Sequence, residues 1–336
     1  RSQLEKDEEK DVLDRAFTVI ENRINALGVS EPTIQKQGRD RLIVELPGLK
    51  DEAMAKGVIG RTAQLQFNLQ RETAQLERAV RVIDKTLKGQ VVEEEDTALT
   101  DTTAMEQEEA QTLAERLIGG ADAAKDTTVK DTAVEDEDSA AALTDDEELL
   151  RDVASFRELL VAVGSQIGAS MQNVARVNAA LRRKDVVTAL ENAGMGGNMF
   201  LWGHDSTMIR GMPHRKLYYL KRRAELSGDV IKDAWQELDQ SGMGGGYSVE
   251  LELNRRGARR FSSVTGANIG KNLAIVLDST VYSAPQIRTK IPLGRAQITG
   301  SFTMNEAQQL AVVLRAGALP APLQIVEERT IGPSLG

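Results

Sequence analysis

Gln64-Leu-Gln-Phe-Asn-Leu-Gln70 and Ser248-Val-Glu-Leu-Glu-Leu-Asn254 decide how this chain is organised. Both runs alternate strictly, which places Leu65, Phe67 and Leu69, and likewise Val249, Leu251 and Leu253, on the inward face of a half-buried strand. Between them lie 177 residues, far more than a connection inside a compact domain uses. The intervening stretch therefore reads as an insertion. The expected organisation is a base made of residues 1–70 and 247–336, with an inserted head at 71–246.

Outward from these strands, each flank supplies two helices and further strands. Val12, Ala16, Val19, Ile20 and Ile24 keep helical spacing over 11–27, and Gly28 stands where a left-handed C-cap is needed. Short strands come next at 33–37 and 41–46, then a helix at 51–59. After Asn254 come a helix at 256–265, an apolar strand at 273–277, and strands near 281–282 and 296–299. Thr303-Met-Asn-Glu306 is a capping box that opens a helix stopped by Gly317 and Pro320. A last strand is expected at 323–330. This order suits an α+β, ferredoxin-like base.

The insertion reads as mostly helical, with one helix at 74–87 and a longer one at 149–181, where Phe156, Leu159, Leu160, Val163, Ile167, Met171, Val174 and Val177 share a face. Charge marks a separate block. Residues 91–150 hold 20 Asp and Glu against three Lys and Arg, so the remainder of a chain of net charge −9 is mildly basic. Residues 91–146 are expected to be solvated and mobile. No apolar run approaches the ~20 residues needed to span a bilayer, and the charged start at Arg1 reads as that of a mature or excised segment. The absence of cysteine excludes disulfides, thiolate metal sites and cysteine nucleophiles.

Few side chains suggest chemistry. His204 with Asp205, or His214, could serve a hydrolytic triad, but no Gly-x-Ser-x-Gly elbow accompanies them. Asp136 and Asp138 have the first spacing of a calcium loop without its glycine or terminal glutamate. The glycine clusters lack the patterns that cradle phosphate, so neither cofactor nor nucleotide is expected. The basic runs at 182–184, 214–216 and 221–223 suit acidic neighbours better than nucleic acid. Composition is more informative: six of the 12 aromatics and five of the nine methionines fall within or just before residues 200–247. Met195, Met199, Phe200, Trp202, Met208 and Met212 could form an adaptable apolar surface for many sequences, unless they are simply core. Gly242, Gly244, Gly245 and Gly246 mark an expected hinge before the strand at Val249.

Longer motifs carry a resemblance. Leu314-Arg-Ala-Gly-Ala-Leu-Pro-Ala-Pro-Leu323, continued by Ile325-Val-Glu-Glu-Arg-Thr-Ile-Gly-Pro-Ser-Leu-Gly336, resembles the SecD family of protein translocase subunits. Ile269-Gly-Lys-Asn-Leu-Ala-Ile-Val-Leu-Asp278, Val281-Tyr-Ser-Ala-Pro285 and Ala296-Gln-Ile-Thr-Gly300 do so as well. Ile24-Asn-Ala-Leu-Gly-Val-Ser-Glu-Pro32, Arg41-Leu-Ile-Val-Glu-Leu-Pro-Gly48 and Leu226-Ser-Gly-Asp-Val-Ile-Lys-Asp-Ala234 are similar to further blocks of that family. The stretch from 73 to about 199 has no such counterpart. The resemblance implies the extracytoplasmic (periplasmic) first loop of a membrane-embedded subunit, which is not an enzyme. It also implies binding of unfolded preprotein, SecF and the SecYEG channel as partners, and late translocation driven by the proton motive force. The proton-carrying residues of that mechanism lie in membrane helices outside this chain. A passive docking scaffold for Sec subunits is the alternative, and a His-dependent hydrolase the more distant one.

Overall fold

The computed structural model describes residues 3–29, 31–38, 40–49, 51–89, 145–239 and 246–329. Contacts divide the chain into two compact units, Arg1–Leu69 with Ala224–Gly336, and Gln70–Arg223. The chain returns to the first unit at 224, not at the expected 247. The cause is local: β8 (Leu226–Ser227) pairs with β3 (Leu65–Leu69), and β9 (Ile231–Leu238) pairs with β10 (Tyr247–Leu253).

The discontinuous unit opens with α1 (Gln3–Ala26), closed by Gly28 at φ +70° as its sequence position requires. A hairpin of β1 (Thr33–Gln37) and β2 (Arg41–Glu45) comes after it. Next is α2 (Glu52–Gly60), whose N-cap Asp51 accepts from the Met54 amide at 2.8 Å. Beyond β10 lie α7 (Arg255–Ala267), β11 (Leu273–Leu277), β12 (Thr280–Ser283), β13 (Arg295–Phe302) and α8 (Met304–Ala316). The capping box of α8 is present in full: Thr303 Oγ1 accepts from the Glu306 amide, and Glu306 accepts from the Thr303 amide. Phe67, Val249, Leu251, Phe261, Ile275, Ile298 and Leu310 form the main core, and Ile20, Ile24 and Leu319 a smaller one. Burying a side chain such as Leu310 contributes about 1.5–3 kcal/mol.

Its strands do not make the expected ferredoxin-like sheet. β3 and β10, the two alternating runs, belong to different ladders. One runs β12-β11-β3-β8 and the other β13-β10-β9, all antiparallel. Strand β9 takes the edge of β10, with Trp235 opposite Glu250. The expected last strand is also absent among the described residues. Pro320 and Pro322, each without an amide donor, lie just before it, and Ile325 and Val326 remain exposed.

The inserted unit is mixed, not mostly helical. After α3 (Thr73–Leu87) come α4 (Asp145–Leu150) and a 3-10 turn at Phe156–Leu159. The hairpin β4 (Val161–Val163) and β5 (Gln166–Ser170) precedes α5 (Val174–Arg182) and α6 (Lys184–Asn192). Two long strands complete the unit, β6 (Asn198–Ile209) and β7 (Met212–Lys221), giving the sheet order β4-β5-β7-β6. The expected helix at 149–181 is thus broken by a hairpin. Gly164, at φ +64°, makes its turn, and Val161, Val163 and Ile167 suit strands better than helix. Of residues 91–146, only 145 and 146 are described, so the expected mobile acidic block lies outside the described residues. The same holds for Gly242, Gly244 and Gly245. These glycines fall between β9 and β10, paired strands of one sheet, so they do not join the two units. Gly246 accepts from the Asp239 amide at 2.9 Å at the start of β10.

Candidate functional site: the exposed hairpin of the inserted unit

The aromatic and methionine cluster lies on β6, β7 and their approach, and the structure splits it. One face of the sheet is covered by α3, α5 and α6. There Ile167, Leu217 and Tyr219 meet Leu76, Val80, Ile83, Phe156, Val177 and Val186. Phe200 and Trp202 point to this face. The Phe200 and Tyr219 rings lie 4.6 Å apart, and Trp202 Nε1 donates to Asn178 Oδ1 of α5 at 2.8 Å. Met195 is buried just before β6. These three candidates are core. Burial raises the Tyr219 hydroxyl pKa, against the opposing hydrogen bond from Asn198 Nδ2 at 2.9 Å. Tyr218, on the other face with half-buried Met199, is raised by burial and then by the Asp205 carboxylate.

The remaining candidates lie beyond the helices. Between Trp202 and Ser206 the register of β6 against β7 shifts in a bulge holding Gly203, His204 and Asp205. Arg215 clamps it, with Nε and Nη2 both donating to the Gly203 carbonyl, at 3.0 and 2.7 Å. Bulges bend a strand and re-aim the residues beyond them. Here those residues form a tip closed by Arg210 and Gly211, at φ +49° and +79°, in the two-residue turn that suits strand twist. On this tip Met208 is 65% exposed and Met212 48%. Met208 stands opposite Pro213, whose carbonyl accepts from the Met171 amide at 3.0 Å. Met171 is itself 46% exposed. The cross-strand row Met171–Pro213–Met208 is therefore apolar and open. Sequence reading missed Met171 as a surface residue by placing it in a helix; the signal available was the hairpin turn at Gly164.

The histidines sit on the same hairpin. His204 Nδ1 lies 3.1 Å from Asp205 Oδ1, with both side chains 40% exposed, unlike the buried orienting carboxylate of a triad. His214 is buried, and its Nδ1 donates to the Met212 carbonyl at 2.9 Å. Among the described residues, no group of three or more His, Asp or Glu side chains is placed to hold a metal ion. Nor is any helix there long and apolar enough to cross a membrane.

Comparison with known proteins supplies the family. A family model described as "Protein translocase subunit SecDF, P1 domain, N-terminal" matches residues 13–72, and one described as "SecDF, P1 head subdomain" matches 206–321. Together they cover more than half of the chain. The protein translocase subunit SecD of Rhodothermus marinus is 35% identical over 97% of the chain and 48% of its own length. The chain belongs to the SecD/SecDF family. SecD of Magnetococcus marinus is 34% identical over 97% of this SecD-family chain and 41% of its own length. For SecDF of Thermus thermophilus the figures are 31%, 97% and 29%. A solved structure titled "Structure and function of a membrane component SecDF that enhances protein export" aligns with 96% of the chain and 94% of its own, at 29% identity and a TM-score of 0.48. The chain spans about half the length, or less, of the curated relatives it matches. Those relatives are protein translocase subunits rather than enzymes. The "head" match falls mainly on the discontinuous unit, so the name does not coincide with the expected head at 71–246.

Proposed function

We propose that this segment is an extracytoplasmic part of a membrane-embedded SecD-type subunit. In this reading it contacts preprotein emerging from the SecYEG channel, works with SecF, and supports late translocation driven by the proton motive force. The observation that carries substrate contact is the exposed methionine hairpin. Met171 and Met208, with Pro213 between them, make an exposed apolar patch on one face at the end of a clamped antiparallel sheet, and exposed Met212 lies at the tip on the other face. Thioether side chains have soft, polarizable surfaces and low rotamer barriers, so such a patch fits many apolar sequences weakly. Membership of a translocase family supports reading that surface as one for a translocated polypeptide.

The test is binding of an unfolded, apolar fluorescent peptide to the 336-residue chain. Met171→Ser, Met208→Ser and Met212→Ser together should weaken binding severalfold and leave the thermal transition in place. Trp202→Ser should do the reverse and lower stability, because its ring lies on the core and its Nε1 is bonded. Unchanged peptide binding in the triple variant would leave the passive scaffold as the better account.

A further inference from the structure

We propose that the discontinuous unit carries a docking surface for an anionic lipid bilayer, formed by Arg255 and Arg259 of α7 with Lys290 and Leu293. Residues 254–300 hold eight Lys and Arg and one acid, Asp278, in a chain of net charge −9. That carboxylate is engaged just before β3, where it accepts from the amides of Ala63 and Gln64 at 3.1 and 3.0 Å. Helix α7 buries Gly257, Phe261, Val264 and Thr265, so its outer surface divides into two sides. On one side, Arg256 and Arg260 are neutralised by Asp229 and Glu225. On the other, Arg255 and Arg259 stand one turn apart, exposed and without an ion pair among the described residues.

Gly266 continues that row, and Lys290 lies against it, with Cδ 3.4 Å from where a Gly266 Cβ would be. The segment 290–294 is fixed along the helix. The Ile291 amide donates to Thr265 Oγ1 at 3.0 Å. Gly294, at φ +63°, backs onto Ala258 so closely that a Cβ would lie 2.6 Å from the Ala258 Cβ. Leu293, its neighbour, is left 75% exposed. Two guanidiniums and an ammonium in a row call for several phosphates, while a leucine beside them calls for hydrocarbon. A bilayer with anionic headgroups supplies both. An acidic polypeptide would satisfy the charges alone.

Flotation of the 336-residue chain with vesicles tests this. Binding is expected to mixed phosphatidylcholine–phosphatidylglycerol vesicles and not to phosphatidylcholine alone, and to weaken with salt. Arg255→Gln, Arg259→Gln and Lys290→Gln together should reduce partitioning by about fivefold per charge removed. Leu293→Ser should reduce it at every salt concentration. Arg78→Gln, Arg81→Gln and Lys85→Gln on α3 remove the same charge and should leave partitioning within about twofold, because none belongs to the row. Equal binding to both vesicle types, equal loss in the α3 variant, or binding to polyglutamate without flotation would overturn the proposal. The methionine variants should float normally, so this reading and the peptide-contact reading fail separately.

Discussion

Arg23 shows what one residue can hold together. It is fully buried, and its guanidinium donates to the carbonyls of Val58, Ile59 and Arg61 at the end of α2, and to that of Gly317 after α8. Burial lowers its pKa to about 10, against the attraction of Asp278. Arg23→Met removes the donors for four acceptors at once, and is expected to cost about 3 kcal/mol or more in a urea titration. Glu250 on β10 has the opposite problem. Burial, followed by repulsion from Glu237 and Asp239, raises its pKa, with Arg295 opposing. The folded chain therefore keeps a proton that the unfolded chain releases above its ordinary value of ~4.3. The stability this gives is present in acid and lost as pH rises through the folded pKa. Glu250→Gln should raise the urea midpoint at neutral pH and change it little below pH ~4. Sequence could not reveal either case: the acceptors of Arg23 lie 35 or more residues away, and the neighbours of Glu250 come from the end of β9 and from β13.

Among the elements, legibility tracked the period of the pattern and the strength of local chemistry. The helices α2, α3 and α8 were readable because Asp51, the apolar stripe of 76–83, and the Thr303–Glu306 box are local signals. The hairpin β4–β5 was not, because its apolar residues also fit a helical period. Its decisive residue is Gly168, whose neighbours are set across strands. A Cβ there would lie 2.2 Å from the Arg215 carbonyl oxygen and 2.7 Å from Val163 Cγ2. Gly168→Ala should therefore destabilise the inserted unit by about 1–3 kcal/mol, read as a lower thermal midpoint. β6 and β7 escaped detection for another reason. Met199, Phe200, Leu201 and Trp202 are all half-buried, so the strand shows no alternation. Of the six candidate residues on this part of the chain, the structure leaves only Met208 and Met212 largely exposed.

Across the whole molecule, each unit has its own core, and that of the inserted unit draws on α3, the 3-10 turn, β5, β7, α5 and α6. Residues 91–144 lie outside the described residues, and their acidic composition marks them as solvated. Deleting them should leave a cooperative thermal transition, since loop length costs little entropy; loss of cooperativity would show that they complete a core. By itself the sequence determined that two flanks enclose an insertion, that several helices begin and end where their caps stand, and that the chain carries the motifs of the SecD family. These rest on signals within a few residues, or on ordered motifs along the chain. Only tertiary structure decided that β10 pairs with β9 and β13 rather than with β3, that the glycine run links paired strands, and that half of the six aromatic and methionine candidates are core. Strand partners and burial depend on residues distant in sequence, and a strand apolar on both faces, as β6 is over 199–202, carries no period to announce which side faces water.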